Sequence, residues 1–221
     1  MNIRIAIKSP RMRTVTQEMY ARLLRAETPP IVVAQGPAGT GKSRIATAIG
    51  LERLVDGEFD RMIITRPVVP ADEEIGYLPG TLRDKMMPWL HPITDAMRDV
   101  GLSAADVDRM FERGIVEVAP LAFMRGRTFS NAWIVADEAQ NCTTNQLLML
   151  MTRIGHGSKM VVAGDVMQHD RGGEECGFRA LVERLRDDED EEYADHVGLV
   201  EFSSHDVVRH PSIPKIIRLI Q

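Results

Sequence analysis

Residues 35–48 read QGPAGTGKSRIATA. Gly36, Gly41, Lys42 and Ser43 stand at the spacing Gly-x-x-x-x-Gly-Lys-Ser, with Pro37, Ala38, Gly39 and Thr40 between them. That spacing suits a phosphate chain. The glycines let the backbone turn so tightly that successive N–H groups converge on phosphate oxygens. A helix starting at Lys42 adds its own free N–H groups and the positive end of its dipole. Lys42 is then placed to reach the β- and γ-phosphates, and the Ser43 hydroxyl to ligate Mg²⁺. The predicted ligand is a nucleoside triphosphate with magnesium.

Hydrolysis also needs a second magnesium contact and a group that orients water. The run 133–140, WIVADEAQ, is apolar up to Ala136 and then places Asp137 and Glu138 side by side. Asp137 is expected to hold Mg²⁺ through water, and Glu138 to polarise the attacking water. A second apolar run, MVVAGDVMQ at 160–168, ends in Asp165 and Gln168 at the same kind of position. Gln168 is expected to hydrogen-bond the γ-phosphate, with Asp165 beside it. The Asn-Lys-x-Asp pattern of guanine recognition is missing from the sequence, which disfavours a GTPase. A small-molecule kinase is also disfavoured, because a kinase must exclude water rather than activate it.

These side chains need a scaffold, and the sequence predicts one. Short apolar runs rich in Val and Ile occur at 31–34, 62–65, 115–118, 132–136, 159–163 and 199–202. Such runs suit strands buried on both faces. Helical patterns fall between them at 16–26, 42–56, 94–100, 145–154 and 177–186. Alternating strands and helices imply an α/β fold, a parallel sheet with helices on both faces. One domain over residues 1–221 is expected. Residues 67–92 break the rhythm with five prolines and with Tyr77, Leu78, Met86, Met87, Trp89 and Leu90. They read as a loop folded back on the core or as a contact surface.

Bulk properties narrow the class. The apolar fraction is 44% and no apolar run is long enough to span a membrane, so a soluble, intracellular (cytoplasmic) protein is expected. Cys142 and Cys176 have no metal-binding spacing, and the six histidines contain no His-x-x-x-His pair, which argues against a metalloenzyme. The net charge of −5 does not by itself suggest a nucleic-acid binder. Its distribution leaves room for one. Residues 4–25 are basic, while 187–192 (DDEDEE) alone carry six negative charges.

The order GPAGTGKS, TRP, GYLPG, PLAFMRGRTF, DEAQN, GDxxQ and DVVRHP closely resembles the PhoH-like ATPases, the phosphate-starvation-inducible family. The likeness runs from about Gln17 to the last residue. It implies a P-loop NTPase with a RecA-like core similar to one half of a superfamily 1 helicase. It also implies Mg²⁺-dependent ATP hydrolysis, association with RNA or single-stranded nucleic acid, and assembly into a ring, with a hexamer favoured. Some family members carry an added KH or PIN nuclease domain; this sequence resembles the bare ATPase core of phage-encoded members. By the same resemblance Gln17 is the glutamine that reads adenine, accepting from its amino group and donating to a ring nitrogen.

A helicase motor closes two such lobes over the nucleotide, and this chain has room for one. A cation on the developing γ-phosphate charge is worth about 10³- to 10⁵-fold in rate. The arginine must then come from the chain's own tail or from a neighbouring subunit. Arg209 of DVVRHP is the favoured candidate, ahead of Arg125 and Arg127 of MRGRT, which are alternatively expected to contact nucleic-acid phosphates or a neighbouring subunit. Arg66 of TRP is a further phosphate-contact candidate. Aromatic residues make up only 5% of the chain, so no base-stacking platform is evident. The alternative to an ATPase is a module that ATP assembles or gates with negligible hydrolysis.

Overall fold

The apolar runs form the centre of the molecule. The computed structural model describes residues 7–67, 82–168, 176–188 and 192–208, and of residues 82–89 the backbone alone. The strands are β1 (Ile31–Gln35), β2 (Arg61–Thr65), β3 (Val116–Val118), β4 (Ala132–Ala136), β5 (Lys159–Gly164) and β6 (Val197–Glu201). They pair in the order β3-β2-β4-β5-β1-β6, and every pair is parallel. All five residues of β4 and all six of β5 are buried. Central parallel strands covered on both faces need continuous apolar sequence, and these have it.

Side chains alternate between the two faces. Val32, Ala34, Met62, Ile64, Trp133, Val135, Val161 and Ala163 meet one set of helices. These helices are α1 (Val15–Arg25), α2 (Lys42–Val55), α3 (Leu82–Asp99) and α4 (Ala104–Glu112). Val33, Ile63, Ile134, Ala136, Met160 and Val162 meet α5 (Thr144–Met151) and α6 (Gly177–Arg186). The fold is the expected α/β P-loop NTPase fold, and each predicted strand is present within two residues of its expected bounds.

Two helical features differ from expectation. α3 starts at Leu82, twelve residues before the predicted start at 94, so residues 82–92 are helix and not loop. Pro88 and Pro92 argued for a break, since each removes one i→i−4 bond. Leu90, Ile93 and Met97 are nonetheless buried against the sheet, and that packing holds the helix through both prolines. Tyr77 and Leu78 lie outside the described residues. α4 was not predicted at all. Ser103 accepts from the Asp106 N–H while Asp106 accepts from the Ser103 N–H, a reciprocal cap for a helix of nine residues.

Candidate functional site

All six strands point their carboxyl ends to one edge, where an open α/β sheet forms its ligand crevice. β1 runs directly into the loop 36–41, and α2 leaves it. Gly36 has φ +144°, and a Cβ there would lie 2.5 Å from the Phe202 carbonyl oxygen. Only glycine fits, and the close approach seats the loop against the end of β6. Gly41 caps α2 in the left-handed conformation. Tyr20 of α1 lies beneath, its hydroxyl donating to the Lys42 carbonyl at 3.3 Å and its ring edge-on to Phe202. Burial, reinforced by the Asp137 charge, raises the Tyr20 pKa well above its ordinary value.

Lys42 is buried at the start of α2, and its ammonium donates to the carbonyls of Gly36 (2.5 Å) and Pro37 (2.9 Å). The Ser43 hydroxyl donates to Asp137 Oδ1 at 2.5 Å, which joins the P-loop helix to the end of β4. Asp137 is anchored in turn, its N–H donating to the Thr65 carbonyl at 3.0 Å. Glu138 follows with φ +56°, an uncommon conformation for a side chain of this size. Its carboxylate accepts from Gln140 Nε2 at 2.5 Å.

Gln140 is 2% exposed, and its Oε1 accepts from the Asp165 N–H at 3.1 Å. One amide thus ties the end of β4 to the end of β5. Gly164 makes room for it, because a Cβ at 164 would come within 3.0 Å of Gln140 Oε1 and 2.7 Å of Phe178. Gln168 Nε2 donates to Asp165 Oδ2 at 2.8 Å. Gln140 stands within the WIVADEAQ run, whose pattern alone assigns it no role. The available signal was an amide two residues past a strand-end acid, where burial obliges it to bridge.

Gln17 lies on the other flank, 4% exposed. Its Nε2 donates to the Thr40 carbonyl at 2.9 Å, and its Oε1 accepts from the Arg13 N–H at 2.8 Å. Each end of the amide keeps one further hydrogen-bonding position. Lys8, Arg11 and Arg13 line the same wall. A cleft of about 690 Å³ brings together Gln17, Ala38, Gly39, Gly41, Lys42, Ser43, Asp137, Glu138, Asp165 and Gln168.

The arginines are dispersed. Arg127 pairs with Glu117 at 2.6 Å and lies over the Phe129 ring, 4.6 Å from its centroid, contacts that hold the turn after β3. Arg125 is exposed on that turn, and Arg66 is half-buried at the end of β2. Arg209 lies outside the described residues. Val208, just before it, donates its N–H to the Gly39 carbonyl at 3.0 Å.

The strand, P-loop, helix and facing carboxylates define a P-loop NTPase fold. The fold is similar to that of the large terminase from a thermophilic bacteriophage, with TM-score 0.59 and 12% identity, covering 96% of this chain and 51% of that one. The chain belongs to the PhoH family, whose model, described as PhoH-like protein, matches residues 10–221. It is 43% identical over 211 residues to a PhoH-like protein of Bacillus subtilis (strain 168), covering 95% of this chain and 63% of the relative. It is 41% identical over 185 residues to Protein PhoH of Escherichia coli (strain K12), covering 83% of this chain and 51% of the relative. The chain therefore spans between half and two thirds of the length of these relatives. Among the described residues no helix is long and apolar enough to cross a membrane.

Proposed function

We propose that this protein binds ATP with Mg²⁺ in the cleft and hydrolyses it to ADP and phosphate. The observation that carries this is the convergence of Lys42, Ser43, Asp137 and Glu138 on the phosphate-binding loop, with Ser43 and Asp137 2.5 Å apart. The donor set fits magnesium, which takes few protein ligands and completes its shell with water and substrate phosphates. Ser43 and Asp137 would hold it, and when bound it would supply positive charge to the β- and γ-phosphate oxygens.

The chain's own groups do the rest. Backbone N–H groups of residues 36–43 cradle the phosphates, and Lys42 exchanges its loop carbonyls for phosphate oxygens, a stronger charge-assisted bond. Glu138, aimed by Gln140, accepts a hydrogen bond from the water that attacks the γ-phosphorus. The bond from that phosphorus to the β–γ bridging oxygen breaks, and ADP leaves with the electron pair. Gln168 contacts the γ-phosphate from the Asp165 side. Gln17 offers its remaining amide positions to the adenine edge. Arg209 completes the site from the same chain or from a neighbouring one, within a homo-oligomer for which a hexameric ring is the favoured form. RNA or single-stranded nucleic acid is the proposed partner. Arg66, at the end of β2, and the exposed Arg125 are the candidate phosphate contacts for that partner.

Phosphate release, measured with and without single-stranded RNA for the wild type, Lys42→Ala and Glu138→Gln, tests the proposal. Turnover that needs Mg²⁺ and collapses in both variants is expected. Undiminished turnover in both overturns it. ATP-dependent assembly without turnover points instead to a gated binding module.

A further inference from the structure

The cleft is lined by charges of both signs, and they come from different elements. Asp137, Glu138 and Asp165 follow β4 and β5, where the proposed function places magnesium and the γ-phosphate. Lys8, Arg11 and Arg13 line the cleft from residues 7–13, a segment outside any helix or strand that leads into α1. All three are exposed, and among the described residues none of their side chains has an ion-pair or hydrogen-bond partner. Asp99, which also lines the cleft, is already paired with Arg44 at 2.8 Å.

The segment that carries these cations is pinned at both ends. The Lys8 N–H donates to the Val100 carbonyl, just past α3, at 2.7 Å, and the Arg13 N–H donates to Gln17 Oε1 at 2.8 Å. Three like charges held together without a counter-charge repel one another, and an anion in the cleft relieves that repulsion. Lys42 and the P-loop N–H groups already answer the 5′-phosphates, so this cluster is matched to a different anionic group. Ile45, Ala48 and Ala96 give the cleft an apolar lining suited to a base. With the phosphates on the loop and the base beside Gln17, the nucleoside is the part of the ligand that faces the segment. A nucleoside can carry a further phosphate only on a ribose hydroxyl, and an arginine beside the ribose is how dinucleotide sites accommodate one there.

We propose that Lys8, Arg11 and Arg13 form a second phosphate subsite in the cleft, which takes a phosphoryl group on the ribose of the bound adenine nucleotide. This rests on the cleft being a nucleotide site. Two sources present that chemistry. One is a free nucleotide phosphorylated on its ribose as well as at its 5′ position. The other is the 5′-triphosphate end of an RNA, whose first nucleotide carries a 3′-phosphodiester. The guanidinium forks of Arg11 and Arg13 suit the phosphate oxygens of either.

The test uses the full chain with Mg²⁺ and radiolabelled ADP as the reporter of cleft occupancy. One arm compares, as competitors, ADP with ADP bearing a ribose 2′- or 3′-phosphate. The other compares ATP with an oligoribonucleotide that starts in A and bears a 5′-triphosphate, its 5′-hydroxyl form being the control for binding elsewhere. In at least one arm the ribose-phosphorylated ligand is expected to bind about tenfold or more tighter than its plain counterpart, and the double variant Arg11→Gln with Arg13→Gln to cut that preference below about twofold. Each preference is a ratio taken on one variant, so a general loss of affinity cancels. Thermal melts establish that the variants are folded, and if the double variant is not, the single variants Lys8→Gln and Arg11→Gln decide by a partial cut. A preference confined to the first arm identifies a free nucleotide as the source, and one in the second arm identifies an RNA end. A wild type that binds ADP with no preference in either arm, or a preference that survives in the folded variants, overturns this proposal alone. A wild type that binds no nucleotide overturns it together with the nucleotide site.

Discussion

Lys42 and Lys159 are both buried, and each donates to two backbone carbonyls, but they stand at opposite ends of the sheet. Lys159 opens β5 and reaches the carbonyls of Leu23 (2.9 Å) and Ala26 (2.6 Å) at the end of α1. Those carbonyls have no partner within their own helix, and a cation there also complements the helix dipole. Lys42 reaches Gly36 and Pro37, carbonyls of a loop that lines an open cleft. Similar bonds therefore serve different ends. Lys159 completes the fold, whereas Lys42, in the function proposed above, exchanges its loop carbonyls for phosphate oxygens. The comparison separates scaffold from site more sharply than burial does, since both lysines are buried.

The contrast breaks first on activity. Lys42→Ala is expected to lower ATP turnover by at least about a hundredfold, with the melting temperature within about 2 °C of wild type. Steady-state phosphate release and a thermal melt on one preparation check both halves. Glu138→Gln is expected to cost about a hundredfold in turnover while nucleotide binding persists, which separates chemistry from affinity. Gln140→Leu removes the amide that aims Glu138, and a fall of about tenfold in kcat with little change in KM is expected.

The scaffold side of the contrast is read in stability. Lys159→Met is expected to cost about 1–3 kcal/mol in urea unfolding, because it removes both hydrogen bonds to the carbonyls that end α1, with turnover per folded molecule unchanged. The same side chain also gives a pH slope. Burial, and then the Arg53 charge, push Lys159 down to about 8 from its ordinary 10.5. Between those two values the unfolded chain holds a proton that the folded chain has shed, so this group makes stability rise with pH across that window. Unfolding curves from pH 8 to 10.5 should show that rise, and Lys159→Met should flatten it.

The strands and the phosphate loop were legible because each obeys a local rule. Continuous Val and Ile mark buried parallel strands, and no residue but glycine tolerates the approach of Phe202 at Gly36. The start of α3 was illegible because tertiary burial of Leu90 and Ile93 overrode two prolines. α4 was hidden by its length, since nine residues give little periodicity and its Ser103–Asp106 cap is a weak signal alone. Gln140 sits inside a recognisable motif, but its partner is set by the fold. Gln140 meets Asp165 across 25 residues.

The most direct test is a crystal structure of the protein with Mg²⁺ and a non-hydrolysable ATP analogue. The triphosphate should lie on the backbone N–H groups of residues 36–43, with Lys42 Nζ drawn off the Gly36 carbonyl and the metal held at Ser43 and Asp137. A nucleotide bound elsewhere, or Lys42 still on its loop carbonyls beside an occupied cleft, contradicts the account.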